Sequence, residues 1–321
     1  MKKTRASLAA LALGLATAAL AGCGSDSDNA ATEKTPSPTT SDTTTATDSP
    51  AGEPIVVVAS TNVWGNVAEQ VGGDAVEVTS IISSPDQDPH SFEASASNAL
   101  ILTKAQLVIE NGGGYDDFMD QLLKAHDSSA TVLNAVDISG KTAAKGEELN
   151  EHVWYDLPTV ELVADEIATQ LGTLAPDEAD TFTTNATTFK SKVDEVIAAE
   201  GDLKSQYDGD AIGITEPVPL YLTEAAGLVN KTPEEFSEAI EEGDDVSAAV
   251  LKETLDLYTD KQVKALVYNE QTSGPITEQV EKAAKDAGIP VVPVTETLPD
   301  GLDYVGWMQQ NVNALGAALA Q

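Results

Sequence analysis

Residues 176–207 read PDEADTFTTNATTFKSKVDEVIAAEGDLKSQY. After Pro176 the stretch holds no further proline, one glycine (Gly201) and no strand-like apolar run. Proline followed by Asp177, Glu178 and Asp180 is a good helix opening, because acids there meet the positive end of the helix dipole. Continuous, these 32 residues would make a helix of about 48 Å at 1.5 Å per residue, longer than one lobe needs. Gly201 leaves two shorter helices as the alternative.

On either side the texture differs. Ile55-Val56-Val57-Val58-Ala59-Ser60 is a short continuous apolar run, the mark of a strand buried on both faces. Similar runs recur at Val76–Ile82, Leu107–Glu110, Ala211–Ile214, Ala265–Tyr268 and Val291–Val294. Helical patterns such as Asn62–Val71, Ala94–Ala105 and Ile276–Ala287 lie between them. Strands alternating with helices predict parallel layers. The expected fold is α/β: two lobes, each a mostly parallel sheet flanked by helices, joined by one long helix with a ligand cleft between them. The expected boundaries are 55–175 for the first lobe, 176–208 for the linking helix and 209–321 for the second lobe.

The chain has 321 residues, with 17 Lys+Arg against 53 Asp+Glu and a formal net charge of −36. That charge opposes nucleic acid and anionic membrane faces. The only arginine is Arg5, so the body has no guanidinium clamp for phosphate or carboxylate. One cysteine excludes intrachain disulfides and Cys-rich metal modules, and three histidines exclude a His-rich metal store.

Lys2, Lys3 and Arg5 precede a 13-residue apolar stretch, Leu8 to Leu20, too short to span a membrane and right for a secretory leader. Leu20-Ala21-Gly22-Cys23 resembles the bacterial lipobox, in which the cysteine thiol is lipidated and becomes the new N-terminus. Residues 1–22 are therefore expected to be a leader, and 23–54 a lipid-bearing disordered tether. Gly24 to Pro54 has 13 Ser/Thr and four Pro among 31 residues and no Val, Ile, Leu or aromatic, so it cannot bury a core. The protein is expected at the cell membrane, lipid-anchored and facing the extracytoplasmic side.

Enzyme motifs are missing: the sequence has no Gly-x-Ser-x-Gly, no phosphate-binding Gly-x-x-x-x-Gly-Lys, no Gly-x-Gly-x-x-Gly and no His-Glu-x-x-His. Gly112-Gly113-Gly114 reads as a tight strand-to-helix turn, since Tyr115-Asp116-Asp117 would set negative charge where a phosphate would sit. More telling are polar residues in loops after strands, where open parallel sheets bind ligands. His90 lies in Asp86-Gln87-Asp88-Pro89-His90-Ser91-Phe92-Glu93. His152 lies in Glu151-His152-Val153-Trp154-Tyr155-Asp156-Leu157-Pro158, where Asp156 can cap the next helix. Glu216 follows one strand in Thr215-Glu216-Pro217, and Glu296 follows the last in Val294-Thr295-Glu296-Thr297. His126, ending a helical pattern, reads as an exposed residue without a role.

Together these segments resemble the metal-binding receptors of bacterial ABC importers for zinc and manganese. Gln87-Asp88-Pro89-His90-Ser91-Phe92-Glu93 is similar to the family's first ligand loop, and Asn111-Gly112-Gly113-Gly114-Tyr115 to its Asn-Gly-x-Gly turn. Glu151-His152-Val153-Trp154-Tyr155-Asp156 is similar to its second ligand segment, with Glu151 in place of a proline. Ala94 also replaces a usual proline, Pro219-Leu220 replaces Ala-Phe, and the His-rich loop of zinc-specialised members is missing. The resemblance implies a solute-binding receptor, not an enzyme, that holds one Zn²⁺ or Mn²⁺ ion, with Fe²⁺ also compatible. The implied ligands are His90, His152, Glu216 and Glu296, with Glu270 competing for the fourth place. It implies delivery to a membrane permease with its ATPase, by a chain acting as a monomer. Separations of 62, 64 and 80 residues between these ligands require a folded two-lobed body. Two neutral imidazoles and two carboxylates would neutralise a divalent cation, and Glu216 hardens the set toward Mn²⁺. The competing readings are a receptor of similar fold for a siderophore or haem, and a surface metallohydrolase. The first would usually need arginine or an aromatic lining, and the second an open coordination position.

Overall fold

Alternation inside the apolar runs shows why they are continuous. In β1 (Ile55–Thr61), Val57 and Ala59 enter the main core, while Val58 points to the other face, among Leu102, Phe118 and Met119. A computed structural model describes residues 53–84, 92–126, 128–143 and 149–321. The expected leader, Cys23, most of the tether and His90 lie outside the described residues, as does the side chain of His126.

β1 pairs in parallel with β2 (Val76–Ile82) on one side and β3 (Leu107–Glu110) on the other, and β3 with β4 (Thr131–Asn134), giving the order β2-β1-β3-β4. The second sheet repeats the plan. β5 (Ala211–Ile214) lies between β6 (Val229–Asn230) and β7 (Leu266–Asn269), with β8 (Val291–Val294) outermost, in the order β6-β5-β7-β8. All these pairings are parallel. In each sheet the winding reverses beside the first strand, which opens a crevice at the strands' C-terminal ends. β4 and β6 had no apolar run to announce them. β4 buries only Leu133, and β6 is two residues long.

The first sheet is flanked by α1 (Asn62–Gly72), α2 (Ala96–Leu102), α3 (Asp117–His126), α4 (Ala135–Ser139) and α5 (Leu157–Leu174). The second carries α7 (Leu220–Ala225), α8 (Glu234–Glu241), α9 (Ala248–Thr259) and α10 (Pro275–Ala287). α2 is shorter than its sequence pattern, because Ser95 and Asn98 form a reciprocal capping box that starts it late.

Between the sheets runs α6 (Ala179–Tyr207), entered through a 3₁₀ turn at Pro176–Glu178. It is continuous over 29 residues, about 44 Å. Gly201 does not divide it: a methyl group built there would meet nothing within 4 Å, so the glycine sits on an open face. The inner face presents Phe182, Ala186, Phe189, Val193, Val196, Glu200 and Leu203 to α5, α1 and the terminal helix α11 (Tyr304–Leu319). One hydrophobic core therefore joins Val57 and Trp64 of the first lobe to Ile212, Val267 and Val292 of the second, through Phe182, Phe189 and Trp307.

Glu200 is the exception on that face. It is 4% exposed, and its Oε1 accepts no hydrogen bond among the described residues. Burial pushes its carboxyl up to about 8, with the Asp156 charge adding to the effect. Between an ordinary carboxylate value and 8, the folded chain keeps a proton that the unfolded chain has released. Folding stability from this group is therefore lost as pH rises through that window. Glu200→Gln should remove this slope and stabilise the protein at pH 9 by on the order of 3 kcal/mol. Urea unfolding at pH 6 and pH 9 would check it; identical slopes in wild type and variant would contradict it.

Candidate metal centre

The Gly-rich turn after β3 is a structural device. Gly112, Gly113 and Gly114 all have positive φ, and a Cβ on Gly112 would lie 2.2 Å from Asn134 Nδ2. The turn's N–H groups are taken internally: Asn111 N and Gly112 N donate to the Asp116 carboxylate at 2.6 and 2.8 Å. Its reading as a turn rather than a phosphate cradle holds. Asn111 also accepts from Trp64 Nε1 and donates from Nδ2 to the Glu151 carbonyl at 2.9 Å, fixing the backbone one residue before His152.

His152 is fully buried, edge-on to the rings of Tyr115 and Trp154 at 5.9 and 5.1 Å. Its Nδ1 lies 2.7 Å from Asn150 Oδ1, and Asn150 Nδ2 donates to the Pro217 carbonyl of the other lobe at 3.2 Å. With the amide so oriented, Nδ1 carries the proton of the neutral ring and Nε2 carries the lone pair. Asp156 closes the segment by accepting from Thr159 N, capping α5 as its position suggested.

The two carboxylates come from the second sheet. Glu216, just beyond β5, and Glu296, just beyond β8, are each 1% exposed. Asn269, at the end of β7, donates from Nδ2 to Glu296 Oε1 at 2.7 Å and also to Glu216 Oε2. One amide thus brings the pair together. Gln271 staples the last loop, accepting from Glu296 N and Thr297 N at Oε1. Glu270, the competitor, is exposed and lines a different cavity beside Pro299 and Trp307.

Sequence reasoning missed Asn269, Gln271 and Glu241. Glu241 ends α8, with its Oε1 3.4 Å from His152 Nε2. Burial, then the charges of Glu151, Glu216, Glu296 and Glu242, push its carboxyl up to about 9. Beside it opens a cavity of about 830 Å³ between Gly113–Gly114 of one lobe and α8 of the other; among the described residues, six glutamates and no cation line it. A buried imidazole and several carboxylates gathered at one cleft suit a divalent cation, which offsets charges that would repel one another without it.

Residues 57–318 match the family model ZnuA, zinc-uptake complex component A, periplasmic. The chain belongs to the ZnuA family. Family membership makes it an extracytoplasmic solute-binding protein that carries a divalent transition metal to an ABC transporter, and not an enzyme. The siderophore or haem receptor and the hydrolase give way to that reading. Among the ZnuA-family chain's relatives, the manganese-binding lipoprotein MntA of Bacillus subtilis is 26% identical over 292 residues, covering 84% of this chain and 91% of that protein. The iron ABC transporter substrate-binding lipoprotein MtsA of Streptococcus pyogenes serotype M1 is 23% identical over 303 residues, covering 86% and 93%. Among solved structures, the periplasmic zinc-binding protein TroA of Treponema pallidum shares the fold with a TM-score of 0.72. It is 19% identical and covers 84% of this chain and 100% of its own.

Proposed function

We propose that the ion is Mn²⁺ or Zn²⁺, captured in the cleft between the two sheets by His90, His152, Glu216 and Glu296, and handed to a membrane permease with its ATPase. The supporting observation is the Asn269 amide, which gathers Glu216 and Glu296 at the mouths of β5 and β8. The relatives differ in the metal their names carry, manganese in one and iron in another, so the family alone does not choose. A nitrogen-and-oxygen set without thiolate suits all these ions, and most such sites bind Zn²⁺ more tightly than Mn²⁺.

In this reading residues 1–22 are a leader, Cys23 carries lipid, and 23–54 tether the body outside the membrane. Lobes at 55–175 and 209–321 and a linker at 176–208 complete the division. As a flexible coil the tether would span roughly 30 Å. Wild-type protein should partition with membranes, and Cys23→Ser should be released into the medium or retained as an unprocessed precursor; wild-type protein cleaved elsewhere with a free thiol would remove the anchor from the reading. The central experiment is metal analysis of the purified chain, followed by competition between Mn²⁺ and Zn²⁺. One tightly held ion per chain is expected. A chain that takes up neither ion at micromolar concentration would end the assignment.

A further inference from the structure

We propose that Glu241 is itself a ligand of the captured ion, carrying a further carboxylate across the cleft from α8 to the metal that His152 binds. This rests on the receptor reading above. Glu241 comes from α8, which supplies none of the four expected ligands, and its side chain is nine-tenths buried (10% exposed) against the fully buried His152 imidazole. Its Oε1 accepts no hydrogen bond among the described residues.

The distance is informative. Asn150 Oδ1 accepts a hydrogen bond from Nδ1–H, so in the neutral ring the Nε2 lone pair faces the Glu241 carboxyl group. With Glu241 ionised, the two electron-rich atoms would face each other stably only around a positive charge. A shared proton would draw them to about 2.7–2.9 Å, the range of charge-assisted hydrogen bonds. They stand at 3.4 Å. Two ligands about 2.1 Å from one ion at tetrahedral angles are themselves about 3.4 Å apart, and about 3.0 Å at octahedral angles. Glu151 falls in the same group: one ligand atom from each of Glu151, His152 and Glu241 lies within 4.8 Å of the others.

Glu241 also stands within electrostatic reach of Glu216 and Glu296 and borders the glutamate-lined cavity. An ion at Nε2 is therefore shared by donors from both lobes. A further carboxylate raises the oxygen count and the coordination number. Both changes favour Mn²⁺, which accepts oxygen-rich sites of high coordination, relative to Zn²⁺, which is satisfied by four ligands. Glu241 would thus set metal preference as well as affinity.

The test uses the full chain and three proteins: wild type, Glu241→Gln, and Glu253→Gln as an exposed control on α9 that changes charge equally. Titration should show Mn²⁺ binding weakened at least tenfold in Glu241→Gln and Zn²⁺ binding weakened less than threefold, with both unchanged in Glu253→Gln. X-ray absorption of the Mn²⁺-loaded proteins should count one fewer nitrogen or oxygen neighbour in Glu241→Gln than in wild type. An unchanged coordination shell overturns the proposal, whatever the affinities do. Failure of wild type to bind either ion overturns the receptor reading itself, which separates the two.

Discussion

His152→Ala should abolish the metal-induced rise in stability. In wild type, an ion that binds only the folded chain stabilises it by about 2.7 kcal/mol at a hundredfold excess over its dissociation constant. For a body of this size that is a rise in melting temperature of roughly 5–10 °C. The His152 ring is held by Asn150, Tyr115 and Trp154, and alanine leaves no donor atom in its place. The variant also loses a buried ring, at a cost of about 3 kcal/mol in the metal-free protein. The decisive quantity is therefore the shift on adding Mn²⁺ or Zn²⁺, not the absolute melting temperature. His90→Ala should lose the shift as well, and His126→Ala should keep it. In wild type the shift should shrink as pH falls through the ordinary imidazole range, because protons compete with the ion for the same lone pairs. Equal shifts in wild type and His152→Ala would locate the ion elsewhere.

Asn269→Ala should strongly destabilise the metal-free second lobe. The amide donates to both Glu216 and Glu296, and its Oδ1 accepts from Gln271 N at 3.1 Å. Removing it takes a shared donor from two carboxylates that are each 1% exposed. Hydrogen bonds to charged groups contribute about 1.5–3 kcal/mol each, so a loss on the order of 3–5 kcal/mol is expected in the metal-free protein. A divalent cation supplies positive charge to the same oxygens, so saturating Mn²⁺ should recover part of the loss. The metal-induced shift in Asn269→Ala should therefore exceed that of wild type. Chemical denaturation with and without metal measures both quantities; an undiminished metal-free stability would refute the account.

Much of the fold was legible in the sequence because it depends on local composition. The continuous apolar runs of β1, β3 and β8 and the proline-free stretch that became α6 carry their signals in adjacent residues. β4 and β6 lie at sheet edges where little is buried, and no pattern marks them. Glu216 and Glu296 could be picked out because strand ends and resemblance converged on them. Asn269 could not: its two partners lie 53 and 27 residues away, and only the parallel order of β5, β7 and β8 sets them side by side. Glu241 was one acid among 53 Asp+Glu, in a helix with no ligand-like motif. Its distinction is positional, arising when α8 meets the segment before α5.

The continuous α6 and the core it shares with both sheets bear on how long an ion stays. A helix of 29 residues, clamped along one face by α1, α5 and α11, is a stiff strut rather than a hinge. Bending it would tear apart the same packing that holds the two halves in register. A frame this stiff is expected to release its cargo by ligand exchange, one oxygen or nitrogen leaving the ion at a time, rather than by the swing of a jaw. Residence time would then be a chemical clock, set by the number and hardness of the donors.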